Sequence, residues 1–98
     1  MEAGRHNGRR ALVTGAATGI GRATAMRLAA EGAAVVVNYI GDSAPADALV
    51  REVEGAGGRA VAIAADVSNE EQVVAMFREA AGAFGGPVDL LVNNAGIE

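Results

Sequence analysis

The sequence contains no cysteine and no tryptophan. Disulfides, thiolate nucleophiles and sulfur-ligated metals are excluded at once. It also lacks lysine, so all 8 basic residues are arginines, and a P-loop cannot be written without its Gly-Lys-Ser/Thr. The single histidine, His6, reads as a solvated tail residue and leaves too few ligands for a His-based metal site. No metal is expected. With 12 acidic residues the net charge is −4, which gives the chain no electrostatic reason to seek nucleic acid or anionic lipid. No apolar run approaches the roughly 18 residues of a membrane span. The segment Met1 to His6 has no apolar stretch of the kind a signal peptide carries, so the expected compartment is the cytoplasm. Aromatic residues make up only 3%, and any core must be built from small and β-branched side chains.

What is present is a regular alternation. Residues 1–8 read as a flexible N-terminal tail and residues 9–98 as part of one domain, with no internal boundary or repeat. Arg10 to Thr14 is a short apolar run stopped by Gly15, as in a buried parallel strand. A helix is expected over Gly19 to Glu31, with Ile20, Ala23, Thr24 and Leu28 as its apolar stripe and Gly32 as its C-terminal cap. Ala33 to Asn38 is a second continuous strand. A helix then starts at the turn Asp42-Ser43-Ala44-Pro45 and carries Ala48, Leu49 and Val53 to the glycines at 55, 57 and 58. Arg59 to Asp66 is strand three, and Ser68-Asn69-Glu70-Glu71 reads as a capping box led by the Ser68 hydroxyl. The helix it opens runs through Val73 and Phe77 to Phe84, and Val88 to Val92 is strand four, stopped by Asn93-Asn94-Ala95-Gly96. The acids Glu52, Glu54, Glu70, Glu71 and Glu79 read as solvated helix faces, and Met26 and Met76 as packing.

Strands alternating with helices through tight glycine turns imply a parallel sheet with right-handed crossovers. The expected fold is α/β, a doubly wound (Rossmann) sheet of about four strands in the order 3-2-1-4 with three helices. Its binding crevice lies at the carboxyl ends of strands one and four, where the order reverses. Thr14-Gly15 and Asn93-Asn94 both open onto that crevice. Between strand one and its helix stands Thr14-Gly15-Ala16-Ala17-Thr18-Gly19-Ile20-Gly21. A phosphate needs close backbone N–H donors and the positive end of a helix dipole. Gly15 makes the tight turn, Gly19 lets backbone approach a pyrophosphate, and Gly21 lets the helix pack on the sheet. The spacing is not the usual G-x-G-x-x-G.

This spacing, Thr-Gly-x-x-x-Gly-x-Gly, resembles that of the short-chain dehydrogenase/reductase family, and further motifs match in order. Asp66-Val67 stands at the end of strand three, where the resemblance implies a contact with the adenine ring. Asn93-Asn94-Ala95-Gly96 matches the family motif after strand four that steadies the sheet and lines the cofactor cleft. The resemblance covers about Arg9 to Ile97 and implies a nicotinamide dinucleotide as cofactor. The implied cofactor-binding residues are Thr14, Gly15, Ala17, Thr18, Gly19, Ile20, Gly21, Asn38, Tyr39, Asp66, Val67, Asn93, Asn94, Ala95 and Gly96.

Asn38-Tyr39 ends strand two and is expected to face the adenosine ribose. An acid there binds the ribose 2′-OH and repels a 2′-phosphate. Asn38 carries no charge, so NADP gains a slight preference over NAD. The attraction is weak, since no Arg lies between Asn38 and Val50 and Thr18 is uncharged. Tyr39 or Ser43 supplies hydroxyls instead, and Tyr39 reads equally well as an aromatic shielding the sheet edge.

The resemblance also implies hydride transfer between the nicotinamide and a small carbonyl or alcohol, with a Tyr as general acid/base beside a Lys that lowers its pKa. This sequence has no Lys, and its one Tyr, Tyr39, has Ser43 four positions later. No catalytic residue is assigned. The expectation is a cofactor-binding part whose catalytic C-terminal half is absent, inactive alone, and meeting a small-molecule substrate only in a longer form. Ending at strand four would leave a sheet edge unpaired and Val and Leu side chains exposed, a route to self-association. Two rival readings stand beside it: a non-catalytic nucleotide-binding or self-associating module, and an S-adenosylmethionine-binding fragment, which wants an acid where Asn38 stands.

Overall fold

The computed structural model describes residues 7–94. Ala95 and Gly96, and residues 1–6 of the expected tail, lie outside the described residues. Elements alternate as β1 (Arg10–Val13), α1 (Gly19–Ala30), β2 (Ala34–Tyr39), α2 (Ala44–Gly55), β3 (Arg59–Ala64), α3 (Glu70–Phe84) and β4 (Leu90–Val92). All strand pairs are parallel, and the sheet order is β3-β2-β1-β4. The order expected from the alternation is the observed one.

β-Branched runs place strands in the middle. Val35, Val36 and Val37 of β2 and Leu12 and Val13 of β1 are fully buried, each contributing roughly 1.5–3 kcal/mol of apolar transfer. Alternate side chains serve opposite faces. Ala11, Val13, Val35 and Val37 meet Ala25 and Leu28 of α1 and Leu49 and Val53 of α2. Leu12, Val36 and Ile63 meet Met76, Ala80 and Phe84 of α3 on the other face. β4 pairs only with β1, so its outer edge has no strand among the described residues. Leu91, in register with Leu12, is 52% exposed.

Helix ends follow local chemistry. α1 closes with Gly32 N–H donating to Ala29 O and Ala33 N–H to Leu28 O, the paired bonds of a Schellman turn. α2 repeats it with Gly57 to Glu54 and Gly58 to Val53. Of the expected α1 stripe Leu28 is buried, but Ala23 is exposed and Ile20 is 67% exposed, and Gly21 and Ala25 complete the buried face, because small residues let the helix sit close to the sheet. The α3 cap is Asn69, whose side chain accepts the Gln72 N–H at 3.1 Å, while the Ser68 hydroxyl is already engaged by Asp66. Asn7, assigned to the tail, lies against the end of α1: a Cβ on Gly32 would stand 2.8 Å from Asn7 Cα.

Candidate dinucleotide site

At the carboxyl end of β1 the chain leaves the sheet at Thr14 and re-enters regular structure at Gly19. Gly15 (φ +58°) and Gly19 (φ +61°) turn it through the left-handed region, which side chains with a Cβ avoid. The bend is pinned on both sides. Thr14 N–H donates to Val92 O at 3.0 Å, and the Thr14 hydroxyl accepts the Asn94 N–H at 2.8 Å and donates to Asn93 Oδ1 at 3.2 Å. Asn94, itself buried, donates from Nδ2 to Gly15 O at 3.1 Å. β1 and β4 are thus stitched together past the last rung of their ladder, at the point where the strand order reverses.

Gly21 explains why the helix can begin so close. A Cβ there would stand 2.3 Å from Gly15 O and 2.5 Å from Asn94 Nδ2, distances no real Cβ tolerates. Gly19 is the opposite case, since a Cβ on it would meet nothing within 4 Å. The open side of the bend is therefore above Gly19, and the closed side below Gly21. Thr18, the α1 N-cap, is extended and makes no side-chain cap bond, and the first turn holds no acid. The first N–H groups of a helix have no intrahelical partner, so here they and the positive helix end stay open to an anion. Thr18 and Ile20 are exposed and Ala17 is half-buried beside them. These features fit a diphosphate.

Asn38 is placed differently from its expected ribose-facing role. Only 2% exposed, it turns inward. Its Oδ1 accepts the Gly15 N–H at 3.1 Å, and its Nδ2 donates to Ala65 O at 3.1 Å. The physical reason is that β1 and β3 end on either side of it with backbone groups still to satisfy. Tyr39 is half-buried against the α1 and α2 side of the sheet, and Ile40 beyond it is exposed.

At the exit of β3, Asp66 Oδ1 accepts from Ser68 Oγ at 2.6 Å and from Ser68 N at 2.9 Å. The hydroxyl first, and the backbone N–H after it, hold the Asp66 carboxyl below its ordinary value. Gln72 Oε1 accepts the Asp66 N–H at 2.8 Å. Val67 is 40% exposed beside it, an apolar surface on which a flat ring could rest. Ser68 and Gln72 escaped the sequence reading as contributors. Their signal was present but local: Gln72 stands three residues after the true cap, where a side chain can reach back.

Arg22, the arginine nearest the bend in sequence, forms an ion pair with Glu52 of α2. Among the described residues no three His, Cys, Asp or Glu side chains gather as metal ligands. A cavity of about 530 Å³ lies elsewhere, at the amino ends of the strands, lined by Arg10, Gly32, Ala34, Gly58 and Arg59 among others. The carboxyl ends of α1 and α2 face it, and Arg9, Arg10 and Arg59 line it, at the end of the sheet opposite Gly15 and Gly19. The bend, not this cavity, lies at the carboxyl ends of the strands where their order reverses.

A family profile described as short chain dehydrogenase matches residues 9–98. The chain belongs to that family. Among curated relatives it is 51% identical over 87 residues to a 3-oxoacyl-[acyl-carrier-protein] reductase from Synechocystis, covering 89% of this chain and 35% of the relative. It is 52% identical over 91 residues to 3beta-hydroxysteroid dehydrogenase 1 from Eggerthella lenta, covering 93% of this chain and 34% of the relative. The chain therefore spans about a third of the length of these relatives. Among solved structures, a short chain dehydrogenase from Burkholderia cenocepacia in complex with NADP superposes with a TM-score of 0.85 at 50% identity, over 93% of this chain and 37% of that one. One from Mycobacterium avium gives 0.89 at 44% identity, over 94% and 36%.

Proposed function

We propose that this chain is the cofactor-binding part of a short-chain dehydrogenase and that its bend at Thr14–Gly21 receives the diphosphate of NADP(H). The observation that carries the reading is the uncapped, acid-free start of α1 beside the open side of Gly19, pinned to β4 at the reversal of strand order. Asp66 and Val67 stand where the adenine ring would lie, and Asn93 and Asn94 line the far wall. When bound, the dinucleotide supplies hydride chemistry; the chain's own residues hold and orient it. In a polypeptide of the relatives' length, the reaction proposed is hydride transfer between nicotinamide and a small carbonyl or alcohol, performed by groups outside these 98 residues. The chain alone is then inactive.

NADP is favoured over NAD because Tyr39, which ends β2 beyond the inward-turned Asn38, brings no carboxylate to the ribose, and a solved relative was captured with NADP. Arg22 is committed to Glu52, so the preference rests on missing repulsion and hydroxyl donors such as Ser43, and is small. We place the protein in the cytoplasm; among the described residues no helix is long and apolar enough to cross a membrane. Cell fractionation with the protein in the membrane pellet would contradict that placement. Titration calorimetry with NADPH, NADH and S-adenosylmethionine tests the site. Binding of both dinucleotides, NADPH somewhat tighter, and no response to S-adenosylmethionine is the expected result; binding of S-adenosylmethionine alone would overturn it.

A second reading is favoured by one observation. The β4 edge, which no strand pairs among the described residues, and the half-exposed Leu91 beside it form a surface suited to pairing with another copy. Size-exclusion chromatography of the chain decides it: a species larger than the monomer supports self-association, and a clean monomer at high concentration removes it.

A further inference from the structure

Three buried polar residues stand among the described ones: Thr14, Asn38 and Asn94. Thr14 and Asn94 join β1 to β4, whereas Asn38 faces the other way. β1 stops at Val13 and β3 at Ala64, and past them only single backbone bonds persist, Thr14 N–H to Val92 O and Ala65 N–H to Tyr39 O, each at 3.0 Å. Asn38 adds to these. Its backbone carbonyl accepts the Ala16 N–H at 2.9 Å, its Oδ1 accepts the Gly15 N–H at 3.1 Å, and its Nδ2 reaches Ala65 O at 3.1 Å and Ile63 O at 3.4 Å. Gly15 is thereby clamped at both ends, its N–H by Asn38 and its carbonyl by Asn94 Nδ2. The geometry demands an acceptor towards β1 and a donor towards β3 at fixed separation. A carboxamide of this length has both; a carboxylate has no donor, and an alkyl group has neither.

We propose that Asn38 is a positioning residue for the dinucleotide, one that touches no cofactor atom. It fixes the direction of the bend that takes the diphosphate and, through Ala65, the neighbouring Asp66 and Val67 on the adenosine side. One buried amide thus links both halves of the ligand surface. This rests on the bend being the diphosphate site. It also makes Asn38 unavailable as the discriminator between ribose and ribose phosphate, a role that falls to the exposed groups beyond it.

The test is made on the 98-residue chain. In the wild type, NADPH slows exchange of the Asn38 side-chain amide protons several-fold, with no nuclear Overhauser effect between them and the cofactor; unchanged exchange, or a direct contact, overturns the proposal. Asn38→Ala speeds exchange of the Gly15 amide while leaving Leu12 and Val36 protected, and weakens NADPH about ten-fold in the folded fraction. Asn38→Asp keeps the acceptor but loses the donor, so Gly15 stays protected while the NADPH affinity still falls. A purely structural residue would lower the melting temperature and leave the affinity of folded molecules unchanged, and that result refutes positioning. Absence of NADPH binding to the wild type overturns the reading of the site itself and this proposal with it, whereas wild-type binding matched by Asn38→Ala removes only the role of Asn38.

Discussion

Gly21 and Asp66 show two ways in which a single residue governs this site. At Gly21 the constraint is steric: with Gly15 O 2.3 Å and Asn94 Nδ2 2.5 Å from the place of a Cβ, Gly21→Ala forces α1 off the sheet. Overpacking of this kind costs about 1–3 kcal/mol, and the same shift opens the bend. Denaturant unfolding and NADPH titration are expected to fall together, and an unchanged affinity would detach Gly21 from the site. At Asp66 the control is electrostatic. Its carboxyl titrates below the ordinary 3.8 because the Ser68 hydroxyl and N–H donate to it. A carboxylate with a depressed folded pKa contributes stability above its unfolded value, and that contribution is lost as pH falls through the folded value. Ser68→Ala is expected to move the titration up towards 3.8 without restoring it fully, since the backbone donor remains. Carbon-detected NMR titration reads this directly, and no movement would assign the shift to another cause.

At the scale of elements, the start of α3 separates two adjacent residues that both have cap chemistry. Asn69 accepts the Gln72 N–H, so Asn69→Ala should cost ~1 kcal/mol of stability. Ser68→Ala should leave the helix start intact, because Ser68 serves the turn before it. Equal losses in thermal unfolding would contradict this division of labour. The sequence could not separate the two, since Ser and Asn are near-equal caps and what decides between them is the prior claim of Asp66. The buried face of α1 departs from the expected stripe for a related reason. Ile20 and Leu28 have the spacing of an apolar stripe, but close packing selected the face of Gly21, Ala25 and Leu28, leaving Ile20 exposed. β1, β2 and β3 were legible because valine-rich runs between glycine turns have few other places to go.

For the whole molecule, strand order followed from alternation and crossover handedness, and the crevice from strand order. The three motifs at Thr14–Gly21, Asp66 and Asn93-Asn94 fall at the carboxyl ends of β1, β3 and β4, as their order in the chain implied. What stayed hidden was orientation. Whether Asn38 points to a ribose or into the sheet depends on where the neighbouring strands end, a tertiary fact with no local signature. The open edge belongs to this scale too. Leu91 lies on the α3 face, yet α3 does not cover it, so Leu91→Lys is expected to shift the chain towards monomer in sedimentation velocity while leaving NADPH affinity unchanged. A variant that associates as the wild type does would move the contact away from β4.

The most direct trial of the account is an amide NMR titration of the chain with NADPH. The expected shifts gather at Gly15 to Gly21, at Asp66 and Val67, and at Asn93 and Asn94, with Gly32, Gly58 and Arg59 at the opposite end undisturbed. Shifts centred on those last residues, or none at saturating NADPH, would contradict the claim that the bend before α1 holds the dinucleotide.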